Sequence, residues 1–229
     1  MKVAIMQPYL FPYAGYFQLI QAVDLFIFLD DVNYIKKGYI NRNNLLLNGQ
    51  PHRFTKPVEK VSQNRFINQH DYGRQDKLLS VFTHAYRTAP HYREVMPLLT
   101  PVLTATGNVA EVNANAVKSV FEYLGLAQKF AFSSAVPHDT SLKGQDKIIA
   151  LCQAVDGLTY VNPPGGRALY DAKNFASAGL SLTYIQPELR PYLQLADAFI
   201  PSLSLVDMLM MTPRSAILRQ LNDFKLVSE

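Results

Sequence analysis

Short apolar runs alternating with helix-spaced stretches constrain this chain more than any other feature. Lys2-Val3-Ala4-Ile5-Met6 is apolar along both faces of an extended backbone, and so is Leu25-Phe26-Ile27-Phe28-Leu29. Strands of that kind must be covered on both sides, as in a parallel sheet. Between them Tyr13, Tyr16, Phe17, Leu19, Ile20 and Val23 recur three and four residues apart, which predicts a helix. Pro8 and Pro12 stop the first run, because each lacks an N–H and restrains the residue before it. A right-handed crossover brings both strand ends to one edge, and ligands of such sheets sit outside the carboxyl ends. That edge receives Gln7, Pro8, Tyr9, Asp30, Asp31 and Tyr34. Asp30 and Asp31 are candidate catalytic residues there. The structural alternative is that Asp30 turns the chain and Asp31 is solvated.

The same alternation returns late in the chain. Lys129–Phe132, Leu158–Val161 and Leu180–Ile185 read as strands, with helices over 146–155 and 168–178. The predicted fold is α/β, a mostly parallel sheet of about five strands with helices on both faces. The nucleotide-binding HUP-like arrangement is one version of it. From Gln75 to Gly125 the spacing is helical, with Asn108 and Gly125 as caps of the last helix. We read this as a helical block, 75–125, inserted in a single domain of residues 1–229. Leu45–Leu47 and Arg53–Thr55 read as a β-ribbon around Asn48-Gly49 that leaves the sheet and returns to it. Ser204–Met211 reads as a buried helix, with Ser204 or Ser202 as its cap, and Pro213–Phe224 as a basic terminal helix.

Other residue types suggest binding. Asn41 and Arg42 carry amide and guanidinium groups suited to carboxylate, phosphate or sugar hydroxyls, though the segment also reads as a solvated loop. Lys36, in the turn Lys36-Lys37-Gly38, joins the substrate-binding candidates. Asn162-Pro163-Pro164-Gly165-Gly166-Arg167 follows a strand. Its glycines let backbone N–H groups approach a ligand, and Arg167 fits an anion. A plain tight turn is the alternative. The spacing matches neither a Walker A loop nor GxGxxG. Asp207 lies among apolar residues and needs a partner, Arg167 or a tyrosine. No Ser-His-Asp set or Cys/His zinc spacing is present, and no metal or cofactor is assigned, although Asp30-Asp31 has oxygens enough for Mg²⁺.

The chain has a formal charge of +4 spread along 229 residues. That suits a small anionic ligand or a sugar nucleotide and is too diffuse to indicate nucleic acid. No run of about eighteen apolar residues suggests a membrane span, and the N-terminus does not read as a signal peptide. The lone Cys152 permits no internal disulfide, and the cytoplasm is the expected compartment.

QPYLFPYAGYFQLIQAVDLFIFLDDVNYIKKGYINRN resembles the opening of the WbqC-like protein family, and HRFTKPV, YVNPPGGRALYD and PSLSLVDMLM continue the resemblance in order. Those proteins are encoded mainly in bacterial O-antigen and other surface-polysaccharide loci, and some have been suggested to transfer glycine to sugars. The resemblance implies an enzyme that transfers an aminoacyl or acyl group to a nucleotide- or lipid-linked sugar. Asp30 or Asp31 would then be the base, with Gln7, Tyr13, Tyr16 and Asn41 on the acceptor and Arg42 and Arg167 on an anionic group. A non-catalytic module for a glycan precursor or a partner is the alternative. PYAGYFQLIQAVD is also similar to the first helix of nucleotidylyltransferases, but Tyr13 and Tyr16 stand in place of their two phosphate-stabilising histidines. That departure counts against nucleotidyl transfer.

Overall fold

The computed structural model describes residues 1–74 and 77–228; Gln75, where the helical block was expected to begin, lies outside them. In chain order the elements begin β1 (Lys2–Met6), α1 (Ala14–Gln21), β2 (Leu25–Phe28), β3 (Arg42–Leu47), β4 (Gln50–Thr55) and β5 (Asp71–Tyr72). Then follow α2 (Lys77–Tyr86), α3 (Tyr92–Thr104), β6 (Gly107–Asn108), α4 (Val109–Leu124), β7 (Lys129–Phe132), α5 (Gly144–Ala154) and β8 (Thr159–Asn162). The last are α6 (Ala172–Ser177), β9 (Ser181–Pro187), α7 (Leu205–Met211), α8 (Arg214–Leu221) and β10 (Phe224–Ser228).

The fold is mixed α/β around a mostly parallel six-stranded sheet of order β10-β9-β8-β1-β2-β7. Strand β1 pairs in parallel with β2 and β8, β2 with β7, and β8 with β9; β10 alone runs antiparallel. The order reverses between β1 and β8. From β1 the chain builds outward through β2 to β7, then returns to build the other half. Right-handed crossovers on either side of such a reversal put helices on opposite faces. On one face Phe17 of α1 stacks on Phe121 of α4, whose ring meets Phe130 edge-on. On the other, Tyr160 stacks on Phe175 of α6, with Leu151 and Cys152 of α5 beside them.

Several local expectations need correction. The ribbon β3–β4 starts at Arg42, which turns Arg42 and Asn43 of the expected polar loop into strand, and it forms its own two-stranded sheet. Asn41 is buried, donating to the Lys56 carbonyl at 2.8 Å. Lys56 caps α3 by donating to Leu103 O at 2.8 Å, and burial pushes its amine down to about 8. The helix expected at 168–178 is a 3₁₀ segment, Pro164–Leu169, followed by α6. Tyr170 is extended, and Asp171 caps α6 by accepting from the Lys173 N–H at 2.9 Å, so the helix starts there. Ser204, not Ser202, caps α7. The terminal helix ends at Leu221 and the chain reverses into β10 along β9.

Candidate functional site

Five loops leave the carboxyl edge of the parallel strands, and the candidate residues divide among them. The loop after β1 carries a row of tyrosines. The Tyr16 hydroxyl donates to Gln7 O at 2.9 Å, and Tyr9 lies 5.7 Å from the Tyr16 ring and 6.2 Å from that of Tyr39. Tyr9, Pro12, Tyr13, Tyr39, Asn43 and Ser202 enclose a cavity of about 280 Å³. Tyr39 is 51% exposed and forms an outer wall. Burial first, then the neighbouring Tyr13 and Tyr39, raises Tyr9 above the ordinary phenol value, so it is a neutral donor at pH 7.

Two backbone positions beside this cavity are unusual. Phe11 and Ser202 have φ of 45° and 60°, in a region that side chains other than glycine rarely adopt. The Phe11 carbonyl is held by Asn43 Nδ2 at 2.8 Å and by Ser204 Oγ at 2.7 Å. Strain that surrounding bonds hold in place is characteristic of functional sites. Gly15 is needed for a related reason: a Cβ there would stand 2.4 Å from Cε2 of Tyr13.

The loops after β2 and β7 are bound to each other through the two acids. Asp30 is 3% exposed. Its Oδ1 accepts from the Ser134 N–H at 3.0 Å, and its Oδ2 from Ser134 Oγ at 2.7 Å and Asn68 Nδ2 at 3.0 Å. The Ser133 hydroxyl lies within reach of both Asp30 Oδ1 and Asp31 Oδ1, its one proton serving one of them at a time. Lys147 Nζ of α5 donates to Asp31 Oδ2 at 2.6 Å. His138 Nε2 stands 3.2 Å from the same oxygen, in ion-pair range but off a hydrogen-bond line, while Nδ1 faces the Val136 carbonyl. Burial works to raise the Asp31 pKa, but the Lys147 and Ser133 hydrogen bonds and the nearby cations outweigh it and hold the carboxyl below the usual range. Asp30 and Ser134 also border a cavity of about 290 Å³ with Asn68, Asn108 and Glu111. Among the described residues no group of three or more His, Cys, Asp or Glu is placed to hold a metal.

The remaining candidates are dispersed. Asn162 is buried against Gly166, where a Cβ would meet its Nδ2 at 2.0 Å, so glycine is needed at 166 for close approach. At Gly165 the space is open, and neither glycine opens an α-helix. Exposed Arg167 lies over the Tyr184 ring at 5.0 Å. Pro8 is buried, its carbonyl taken by Asn113 Nδ2 at 2.9 Å. Tyr34 is buried beside His70; burial, partly offset by the Arg42 guanidinium, pushes its phenol up to about 12. Arg42 Nε is buried with no hydrogen bond among the described residues, and Lys36 is exposed. Asp207 finds tyrosines, not Arg167: it accepts from Tyr86 at 3.0 Å, Tyr192 at 2.8 Å and Gln194 at 2.8 Å. Sequence reasoning assigned no role to Tyr39, Ser133, Ser134, His138 or Lys147. For the last four the only signal was their position after the β7 run and on the α5 helix.

The strand reversal and the loops gathered at one edge define a doubly wound α/β protein. Within that class the chain belongs to the WbqC-like protein family, which it matches over residues 7–218. It is 27% identical over 217 residues to uncharacterized protein Rv1507c of Mycobacterium tuberculosis, covering 91% of this chain and 92% of that one. No solved structure gives a significant match.

Proposed function

We propose that this protein works in bacterial surface-polysaccharide synthesis, transferring an acyl or aminoacyl group, glycine included, to a nucleotide- or lipid-linked sugar. The family supports that setting. The observation that carries the substrate class is the tyrosine-walled cavity beyond β1. A sugar ring has an apolar C–H face and a polar rim. Tyr9, Tyr13 and Tyr39 offer ring faces to the first, and their hydroxyls and Ser202 offer hydrogen bonds to the second. We place the reaction in the cytoplasm. Asp30 and Asp31, with their oxygens engaged, act as posts of the loop framework. Positioning of donor and acceptor supplies the rate.

Ligand-observed NMR with N-acetylglucosamine and its UDP conjugate tests this. Wild type should bind, and Tyr39→Ala should weaken binding about tenfold, the size of one lost aromatic contact. Unchanged binding in that variant would place the sugar elsewhere. The engaged state of both acids favours a second reading, a non-catalytic module for the same precursor. Sugar binding without any mass gain on the sugar across a panel of acyl and aminoacyl donors would select it.

A further inference from the structure

The tyrosine cavity is one of a series. Tyr13 and Ser202 also wall a second cavity of about 280 Å³, whose apolar lining includes Phe199, Ile200, Leu203 and Met208. Arg190 borders that cavity and a third, of about 640 Å³, which Arg219 and Asp223 also line. Arg190 is held by Asp223 at 2.9 Å. Arg219 is exposed and makes no ion pair among the described residues. The order along the edge is therefore aromatic and hydroxyl-seeking, then apolar, then cationic.

A bound amphiphile must present its parts in that order. An acyl thioester of phosphopantetheine has the matching order: acyl carbon beside the acceptor, an uncharged arm, then phosphate. Resting on the reading that the tyrosine cavity holds the acceptor sugar, we infer that the donor is such a thioester, with its arm in the apolar cavity and its phosphates at Arg219.

The chemistry balances without a further reactant. A sugar amine or hydroxyl attacks the thioester carbonyl carbon, a C–N or C–O bond forms and the C–S bond breaks. The departing thiolate takes the proton that the acceptor loses. An amino sugar is the more reactive acceptor.

Calorimetric titration with coenzyme A tests the donor independently of the sugar. Saturable binding is expected, weakened at least tenfold by Arg219→Glu and abolished by Phe199→Asp, with Tyr39→Ala unaffected. Adenosine 3′,5′-bisphosphate, which lacks the arm, should bind at least tenfold more weakly. Thermal unfolding of each variant confirms that it is folded. Absence of coenzyme A binding, or binding indifferent to both Arg219→Glu and Phe199→Asp, would overturn the inference. Sugar binding lost in Tyr39→Ala but no coenzyme A binding would sink the donor and leave the acceptor site standing. Coenzyme A binding without sugar binding would do the reverse.

Discussion

At Asp31, donors from α5 and from the segment after β7 converge on one carboxylate. Removing one partner of a buried pair leaves an uncompensated charge, so Lys147→Met should cost about 3 kcal/mol at pH 7. The double variant Asp31→Asn/Lys147→Met should recover part of that, because neither charge is then stranded. The folded-state pKa of Asp31 is lowered, so its stabilising contribution is complete above the ordinary carboxylate range, declines below it and is lost as pH falls through the lowered folded-state value. The stability gap between wild type and Lys147→Met should therefore narrow below about pH 4, by denaturant titration at each pH. A gap independent of pH would show that the pair is not ionic. The sequence displayed Asp30-Asp31 at a strand end but not what holds them. Ser133 lies 102 residues from Asp31 and Lys147 lies 116 away, and only the neighbouring of β2 and β7 brings them together.

Helix α1 is the element on which the sugar cavity depends. Its N-terminus is covered by the Tyr13 ring, which lies where a Cβ of residue 15 would be. Gly15→Ala should gain up to about 1 kcal/mol of helix propensity while forcing the ring aside. The expected result is a melting point unchanged or raised, with sugar binding lost; full binding in that variant would show that Tyr13 is dispensable. This helix and its flanking strands were legible, since apolar spacing decides both. The 3₁₀ segment and α6 were not, because Asp171 set the later start and nothing in the apolar spacing ranks one cap above another. Strand β10 was missed for a different reason: none of its residues is buried, so no alternating pattern marks them.

Over the whole molecule, β10 closes one edge of the sheet without burying much of itself. Deleting residues 224–228 should cost little core packing but expose the hydrogen-bonding edge of β9. Concentration-dependent association in sedimentation velocity is expected, and a monomer at every concentration would show that the edge is otherwise protected. The α/β class and the shared carboxyl edge of the strands were readable, since each buried strand announces itself. The sequence of cavities was not, because it depends on how the irregular 188–203 segment, which lacks periodicity, folds back over α1 and α7. The strand order bears finally on how the chain is made. Strand β1 leaves the ribosome well before its second neighbour, β8, which begins at Thr159. At ordinary translation speeds one side of β1 waits on the order of ten seconds for its partner. Gln18 waits longer still, since its amide donates to the carbonyls of Gln220 and Asp223 at 2.7 and 2.9 Å. The centre of the sheet is thus laid down first and completed last, and a nascent chain stalled before β8 presents one unpaired edge of an apolar strand for chaperones to shield.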